Sequence, residues 1–300
     1  MKITSTTAPM RRRAGLLVVV AVALALTGCS VGSGDSGGSG AGSSPSAGDN
    51  TDPNHTGSTW ADIKKRGIIN IAVGLTTPPF GLTDKNGKPS GFDVDVANQL
   101  ADYLGVKANI FEVSADGRIP ALQSGKADLV SFTLTVTPER QQQIDFSDGV
   151  IHAYQGVAVK KSSGITSNKQ IADKTIAVQK GALGATVAAA AYPNATLQQY
   201  DSEVNTILAA RQGQADAVVD GIAQLTYNIK DDSSMKLLPG LVAGDSVQSY
   251  ALGIQKGDDS LTKKVNAFLK QFHAKGEGTK LYKKWFGAEP PADLFKGFEN

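Results

Sequence analysis

The sequence predicts an α/β protein with two similarly built lobes, each a mixed sheet flanked by helices, joined by two crossing strands. Short apolar runs rich in β-branched residues alternate with helical patterns along most of the chain. The pattern Gly-[Lys/Gln]-Ala-Asp-[Leu/Ala]-Val occurs at 125–130 and again at 213–218, each time after a predicted helix. Two extended runs without a turn, 150–159 and 249–254, suit a double connection between the lobes. Chance similarity of a short apolar pattern is the alternative to a true repeat.

The first 28 residues have the pattern of a secretory signal. A basic start is followed by the apolar run 14–26, which is too short for a comfortable membrane span, and by small residues before Cys29. A cysteine directly after the predicted cleavage point resembles the lipobox of bacterial lipoproteins, and this implies a diacylglycerol on Cys29. An ordinary secreted protein is the alternative. Cys29 is the only cysteine, so a disulfide framework and a cysteine metal site are excluded.

Residues 29–58 are predicted to form a flexible tether. They consist almost entirely of small and polar residues, which cannot bury apolar surface. Coil scaling gives such a segment a reach of roughly 30 Å, enough to hold a domain clear of a membrane. The net charge of the whole chain is +2 and no basic patch stands out, so nucleic acid is not an expected partner.

The segment 133–140 predicts an anion site in the first lobe. It follows the buried strand pattern 128–132, and Thr137 and Pro138 suit the N-cap and first position of a short helix. Thr133, Thr135 and Arg140 then cluster around that helix N-terminus, where hydroxyls, free N–H groups and a guanidinium fork suit a carboxylate. The alternative is a capped surface helix with an exposed arginine.

The second lobe presents a similar edge to the same crevice. Strand 175–179 is followed by Gly181, Ala182 and an alanine-rich helix, an arrangement that offers free N–H groups to an anion. The next helix, 202–212, is predicted to turn Val204, Ile207 and Leu208 inward. Five residues beyond Asp128 is Thr133, and five beyond Asp216 is Gly221, so Asp220 is expected beside the crevice. A helix N-cap is the alternative role for Asp220.

Several motifs together resemble those of the polar-amino-acid substrate-binding proteins of ABC importers, solute-binding protein family 3. They are Pro-Pro-Phe at 78–80, Gly-Phe-Asp-Val-Asp at 91–95, Arg-Ile-Pro-Ala-Leu at 118–122, Thr-Val-Thr-Pro-Glu-Arg at 135–140 and Leu-Tyr-Lys-Lys-Trp-Phe-Gly at 281–287. Each motif alone is weak, but their order is that of the family. The resemblance implies a type II periplasmic-binding-protein fold, with lobes at 59–152 plus 250–290 and at 157–247, and a C-terminal tail at 291–300.

The resemblance also implies roles for individual residues. Arg140 with Thr135 would hold the α-carboxylate of an amino acid, helped by N–H groups near Gly181 and Ala182, where relatives usually carry a hydroxyl after the glycine. Arg118 would meet an acidic side chain, and Asp220 the α-ammonium group. Phe80 is expected as an apolar wall, and Thr77 stands where relatives often place an aromatic ring, which predicts a wetter or roomier pocket.

The function implied is that of a lipid-anchored, monomeric receptor on the extracytoplasmic face of a bacterial cell membrane. It would bind a polar or acidic amino acid by lobe closure and deliver it to ABC permease subunits, without cofactor or metal. No catalytic motif is present, so an enzyme is not expected. Two alternatives stay open: an enzyme similar to periplasmic cyclohexadienyl dehydratases on the same fold, and a ligand sensor acting through a partner receptor.

Overall fold

The computed structural model describes residues 59–242 and 247–298. The predicted signal (1–28), the tether (29–58) and Cys29 lie outside the described residues. The helices are α1 (Trp60–Arg66), α2 (Phe92–Leu104), α3 (Arg118–Gln123), α4 (Pro138–Gln141), α5 (Leu183–Ala191), α6 (Glu203–Gln212), α7 (Ile222–Ile229), α8 (Asp259–Ala274) and α9 (Glu277–Phe286). The strands are β1 (Ile68–Val73), β2 (Thr76–Thr77), β3 (Gly81–Thr83), β4 (Pro89–Ser90), β5 (Lys107–Glu112), β6 (Leu129–Val130), β7 (Asp145–Ala153), β8 (Gln155–Lys160), β9 (Thr175–Gln179), β10 (Thr196–Tyr200), β11 (Ala217–Gly221), β12 (Met235–Leu237) and β13 (Gln248–Ile254).

The first lobe is built on a five-stranded mixed sheet in the order β5-β1-β6-β13-β7. Strand β1 pairs in parallel with β5 and β6, whereas β13 runs antiparallel to β6 and β7. Apolar side chains of β1, α2, α8 and α9 form one buried cluster that includes Ile71, Leu100, Leu269 and Phe286. A small sheet of β2, β3 and β4 follows β1 and carries the loop that contains Pro78 and Pro79.

The second lobe is built on a sheet of the same size in the order β10-β9-β11-β8-β12. Strand β9 is parallel to β10 and β11, and β8 is antiparallel to β11 and β12. Its core contains β-branched residues of all the central strands, such as Val159, Ile176 and Val219. Mixed sheets flanked by helices, in two lobes, are the predicted fold class.

The sequence repeat has a structural cause. In the first lobe the amide N–H of Asn70 donates to Asp128 Oδ2 at 2.6 Å, and the amide of Asp128 donates to the Asn70 carbonyl at 2.9 Å. In the second, the Thr175 amide donates to Asp216 Oδ2 at 3.0 Å, and the Asp216 amide to the Thr175 carbonyl at 2.8 Å. The repeated aspartate therefore fixes the start of the same parallel strand pair in both sheets.

The chain crosses between the sheets at two places. Tyr154 separates β7 of the first sheet from β8 of the second, so the extended run 150–159 forms two strands rather than one. The return leads from β12 to β13. Helix α9 packs against α2 and α8 of the first lobe, and the residues after it fold back over β7, where the His152 amide donates to the Leu294 carbonyl at 2.9 Å.

The inward face predicted for α6 is wrong at two of its three positions. Ile207 is buried, but Val204 and Leu208 are 46% and 43% exposed. Glu203, Thr206, Ala209 and Ala210 are buried instead. The buried face is polar at its start because Glu203 accepts a hydrogen bond from Asn228 of α7, at 2.5 Å.

No helix in residues 59–242 or 247–298 has the length and apolar character needed to cross a membrane.

Candidate functional site

The carboxyl ends of the central strands of both sheets meet at one crevice. Thr133 and Thr135 follow β6 of the first sheet, and Ala182 and Asp220 come from the ends of β9 and β11 of the second. Together with Arg118 they line a cavity, which we call the cleft cavity. Open α/β sheets typically bind ligands outside the carboxyl ends of their strands, which makes this cavity the candidate site.

The cleft cavity is nearly closed. Its volume is about 10 Å³, close to the minimum for a single water molecule. Four polar contacts between the lobes surround it: Arg118 Nη2 and Arg140 Nη2 donate to the Gly181 carbonyl at 2.8 and 3.0 Å, Lys180 Nζ lies 2.7 Å from Asp116, and Asn228 Nδ2 donates to the Pro78 carbonyl at 3.3 Å. A molecule much larger than water therefore fits this cavity only if these contacts open.

Arg118 is held by the backbone of the first lobe. Its Nε donates to the Ala115 carbonyl at 2.6 Å, and Nη1 donates to the carbonyls of Phe132 and Thr133 at 3.0 and 3.3 Å. The guanidinium carbon lies 5.0 Å from the centroid of the Phe132 ring. Burial lowers the pKa of Arg118 to about 9, so the side chain stays cationic at neutral pH.

Arg140 lies beside Arg118 but is less enclosed. It is half-buried, it donates through Nη1 to the Thr135 carbonyl at 2.8 Å, and it is not among the residues that line the cleft cavity. Burial lowers its pKa. Within the described residues, neither Arg118 nor Arg140 has a carboxylate oxygen within 4 Å. Two neighbouring cations without a carboxylate partner are costly to bury, and their Nη2 groups face the opposite lobe.

Asp220 faces these arginines from the second lobe. It is 6% exposed, Oδ1 accepts from the Gly221 amide at 2.7 Å, and Oδ2 has no protein partner. Burial raises the pKa of Asp220 to about 6, although the Gly221 amide and the Arg118 charge oppose this. The one-residue offset from the repeat register does not remove the Asp220 side chain from the crevice, because Gly221 ends the strand and begins the turn into α7.

A second buried carboxylate supports the first-lobe side of the site. Asp93 Oδ2 accepts from the Thr133 amide at 2.9 Å, and Thr133 is the one described non-glycine residue with a positive φ, 34°. This conformation turns the Thr133 carbonyl toward Arg118 Nη1. Burial raises the pKa of Asp93 to about 7. Asp93 therefore fixes the backbone at Thr133, and that backbone in turn orients Arg118.

Two of the predicted site residues lie elsewhere. Phe80 is fully buried, with its ring centroid 5.6 Å from that of Phe92 and 5.4 Å from that of Phe286, so it belongs to the core of the first lobe and not to a wall of the cavity. Thr77 is 2% exposed and does not line the cavity either. The Phe80 ring centroid also lies 5.8 Å from that of Tyr250, which lines the cavity. At Gly181, the carbonyl rather than an N–H group faces the arginines.

Some lining residues were not predicted. Gln155, Gln179, Leu183, Gln224 and Tyr250 also line the cleft cavity. Gln179 is the last residue of β9, so the rule that placed Thr133 at the crevice also applies to it. Tyr250 and Gln224 meet only through the return crossing, where Gln224 Nε2 donates to Tyr250 Oη at 2.9 Å. Sequence spacing gives no sign of such a contact.

Known proteins resemble this chain over most of its length. The model of "Bacterial extracellular solute-binding proteins, family 3" matches residues 69–288. The ABC transporter glutamine-binding protein GlnH of Bacillus subtilis (strain 168) is 35% identical over 238 residues, which are 77% of this chain and 86% of that protein.

Solved structures show the same fold. The solute receptor for L-cysteine of Neisseria gonorrhoeae matches with a TM-score of 0.72 and 31% identity, over 76% of this chain and 93% of that one. A second match is the ancestral amino acid-binding protein AncCDT-1, a precursor of cyclohexadienyl dehydratase. Its TM-score is 0.71 and its identity 35%, over 76% of this chain and 100% of that one. The chain belongs to the bacterial extracellular solute-binding proteins, family 3.

Proposed function

We propose that this protein is the lipid-anchored receptor of an ABC importer and that it binds an amino acid with an acidic side chain. The observation that carries the proposal is the pair Arg118 and Arg140. Both guanidinium groups direct Nη2 at one point of the opposite lobe, the Gly181 carbonyl, and neither has a carboxylate partner among the described residues. A ligand with two carboxylates supplies both partners.

The charges of the site match such a ligand. Two cations come from the first lobe, and one carboxylate with an unpaired oxygen, Asp220, comes from the second. An amino acid with an acidic side chain carries two carboxylates and one ammonium group, so every charge gains an opposite one. A neutral side chain leaves one guanidinium without a partner, and a cationic one adds repulsion.

The two arginines offer different numbers of donors. The Nε and both Nη1 hydrogens of Arg118 are directed at backbone carbonyls, which leaves its Nη2 edge for a ligand. Arg140 uses one Nη1 bond within its own lobe and keeps more of its fork available. We therefore assign the α-carboxylate to Arg140 with Thr135, the side-chain carboxylate to Arg118, and the ammonium group to Asp220.

Binding proceeds by movement of the lobes about the two crossings, at Tyr154 and before β13. The proposed lobes comprise 59–152 with 250–290, and 157–247. Separation releases the Gly181 carbonyl from both arginines, and closure over the ligand encloses its charges away from water. The closed pair of lobes presents a surface for permease subunits.

Calorimetry tests the ligand assignment. We use the secreted chain with Cys29→Ser, which removes the proposed acylation site, and titrate L-glutamate, L-glutamine, L-arginine and glutarate. L-glutamate should bind most tightly. Arg140→Ala should lose on the order of 2–5 kcal/mol for glutamate and glutamine alike, because both carry an α-carboxylate. Arg118→Ala should remove the preference for glutamate over glutamine.

Other outcomes decide between assignments. Tight binding of L-arginine contradicts the role of Arg118, and equal affinity for glutarate and glutamate removes Asp220 from the site. Turnover of prephenate or arogenate by the same protein would support the dehydratase alternative; we expect none.

The membrane anchor has its own test. The Leu-Thr-Gly-Cys motif at 26–29 supports acylation of Cys29 and a position on the extracytoplasmic face of the cell membrane. Mass spectrometry of the native protein should find a diacylglycerol-modified Cys29, and the Cys29→Ala form should leave the membrane fraction. A native protein without an acyl chain refutes the anchor.

A further inference from the structure

A second cavity shares Gln224 and Tyr250 with the cleft cavity, and we call it the rear cavity. Its volume is about 360 Å³. Sites for small molecules and cofactors typically enclose about 300–1,000 Å³. The rear cavity is therefore large enough for a ligand in the closed arrangement, whereas the cleft cavity, at about 10 Å³, is not.

The walls of the rear cavity come from both lobes. Tyr154 lies at the first crossing, Ile222 and Ala223 belong to α7 of the second lobe, and Tyr282 belongs to α9, which packs on the first lobe. Leu294, from the segment after α9, also lines the cavity. These side chains are mainly aromatic and aliphatic, so the lining favours an apolar molecule with a ring.

The segment after α9 is fixed in place. Tyr154 Oη donates to Asp293 Oδ2 at 2.6 Å, and the His152 amide donates to the Leu294 carbonyl at 2.9 Å. The Phe298 ring centroid lies 4.4 Å from that of His152. These contacts hold the segment after α9 against β7, which leads into the first crossing. The rear cavity is therefore already formed when no ligand is bound.

One buried acceptor in the wall lacks a donor. Gln224 is 3% exposed and lines both cavities, and its Nε2 donates to Tyr250 Oη at 2.9 Å. Its Oε1 has no hydrogen-bond partner among the described residues. A buried carbonyl oxygen without a donor costs roughly 1–3 kcal/mol, so a ligand that supplies one N–H or O–H group gains by reaching it.

We infer that the rear cavity is a second binding site, for a small aromatic molecule that carries one N–H or O–H donor. The ring occupies the space between Tyr154, Tyr282 and Ile222, and the donor reaches Gln224 Oε1. Because the walls belong to both lobes, an occupant favours the closed arrangement and strengthens binding in the cleft. The binding site does not depend on the function proposed above; its coupling to the cleft does.

Indole and benzothiophene form a matched pair of probes, since sulfur replaces the N–H group in a molecule of nearly the same shape. Calorimetry on the Cys29→Ser chain should detect indole binding, with benzothiophene at least about tenfold weaker. Ala223→Leu places a larger side chain in the cavity and should weaken indole at least about tenfold. Ala189→Leu, on the exposed face of α5, should leave it unchanged.

Absence of indole binding overturns the site, as does equal binding of both probes or equal indole affinity in Ala223→Leu and the parent. The probe comparison needs no variant, so it stands even if Ala223→Leu does not fold. Saturating indole should lower the Kd for L-glutamate, and glutamate should lower that for indole by the same factor. If indole binds and glutamate does not, the ligand proposed for the cleft is wrong and the rear binding site is still supported. If both bind independently, the proposed coupling between the two sites is wrong.

Discussion

At the scale of single residues, the site consists of charges held in place by backbone groups. Arg118 is directed by three carbonyl oxygens of its own lobe, and Thr133, which supplies one of them, is directed by Asp93. A ligand bound as proposed would therefore meet a guanidinium whose orientation is set before binding. Such preorganisation reduces the ordering cost that binding has to offset.

Asp220 predicts a pH dependence of ligand affinity. Its pKa is raised to about 6 by burial, so the carboxylate that we propose receives the ammonium group gains a proton as the pH falls through 6. Affinity for L-glutamate should fall about fourfold from pH 7.5 to pH 5.5, as the loss of one ionised group implies. Calorimetry at several pH values measures this.

The matched control is Asp220→Asn. This variant should bind L-glutamate more weakly than the parent and should lose most of the pH dependence of the affinity. Asp93, whose pKa is about 7, also titrates in this range and remains in the variant, so the residual slope measures its share. Arg118 and Glu203 face Asp220; Arg118 stays cationic throughout this interval, and burial raises the pKa of Glu203. A slope that is unchanged in Asp220→Asn would exclude Asp220 as the ammonium partner.

At the scale of elements, the repeated motif and the helix that precedes its second copy show what sequence patterns can and cannot predict. The pattern around Asp128 and Asp216 predicted two similar lobes because each aspartate closes the same backbone pair, a local requirement that a motif can record. The position of Thr133 and Asp220 at the crevice could be predicted because both residues lie at the ends of strands.

The burial of Glu203 could not be predicted from the sequence, because it depends on Asn228 and on the Pro78 loop of the other lobe. The position of the Phe80 ring did not follow from the sequence either. An aromatic residue after two prolines has the same spacing whether its ring turns to the crevice or to the core.

Glu203 predicts a pH dependence of stability. Burial raises the pKa of Glu203 well above its usual value, with a contribution from Asp220. The folded state then binds a proton that the unfolded state releases above about pH 4.3, so stability falls as the pH rises from that value toward the folded pKa. The Glu203→Gln variant should not show this fall in stability with rising pH, and its side-chain oxygen can still accept the hydrogen bond from Asn228.

Thermal unfolding of Glu203→Gln should gain on the parent as the pH rises from 5 to 8. A gain of about 1 kcal/mol corresponds to a rise of about 2–4 °C in Tm for a domain of this size. The exposed Glu112→Gln serves as a control and should show no such trend. A constant difference between Glu203→Gln and the parent across this range would refute the titration of Glu203.

At the scale of the whole molecule, the backbones of the two lobes come close together at Gly181 and Asp116. Gly181 has φ of 75°, and a Cβ there would lie 2.6 Å from the backbone of Asp116 in the first lobe. Gly181→Ala should therefore oppose closure and weaken L-glutamate at least about tenfold. Small-angle scattering should show a larger radius of gyration than for the parent under saturating glutamate.

Gly164→Ala separates this effect from backbone strain. Gly164 has φ of 73° in the same lobe, and nothing lies within 4 Å of the Cβ that the substitution adds. Its strain is comparable, but it touches no residue of the first lobe. If Gly164→Ala weakens glutamate as much as Gly181→Ala does, the close approach is not what limits closure.

The Gly181 carbonyl has a further consequence for selectivity. It occupies the same donors that a solute's carboxylate would use, so it behaves as an intramolecular competitor of the cargo. In the proposed mechanism, the observed dissociation constant then exceeds the intrinsic one by the inverse of the open fraction. Molecules without an anionic group cannot displace the carbonyl and are rejected early, while those with two anionic groups can. In the proposed mechanism, a backbone oxygen thus discriminates against solutes that carry no anionic group.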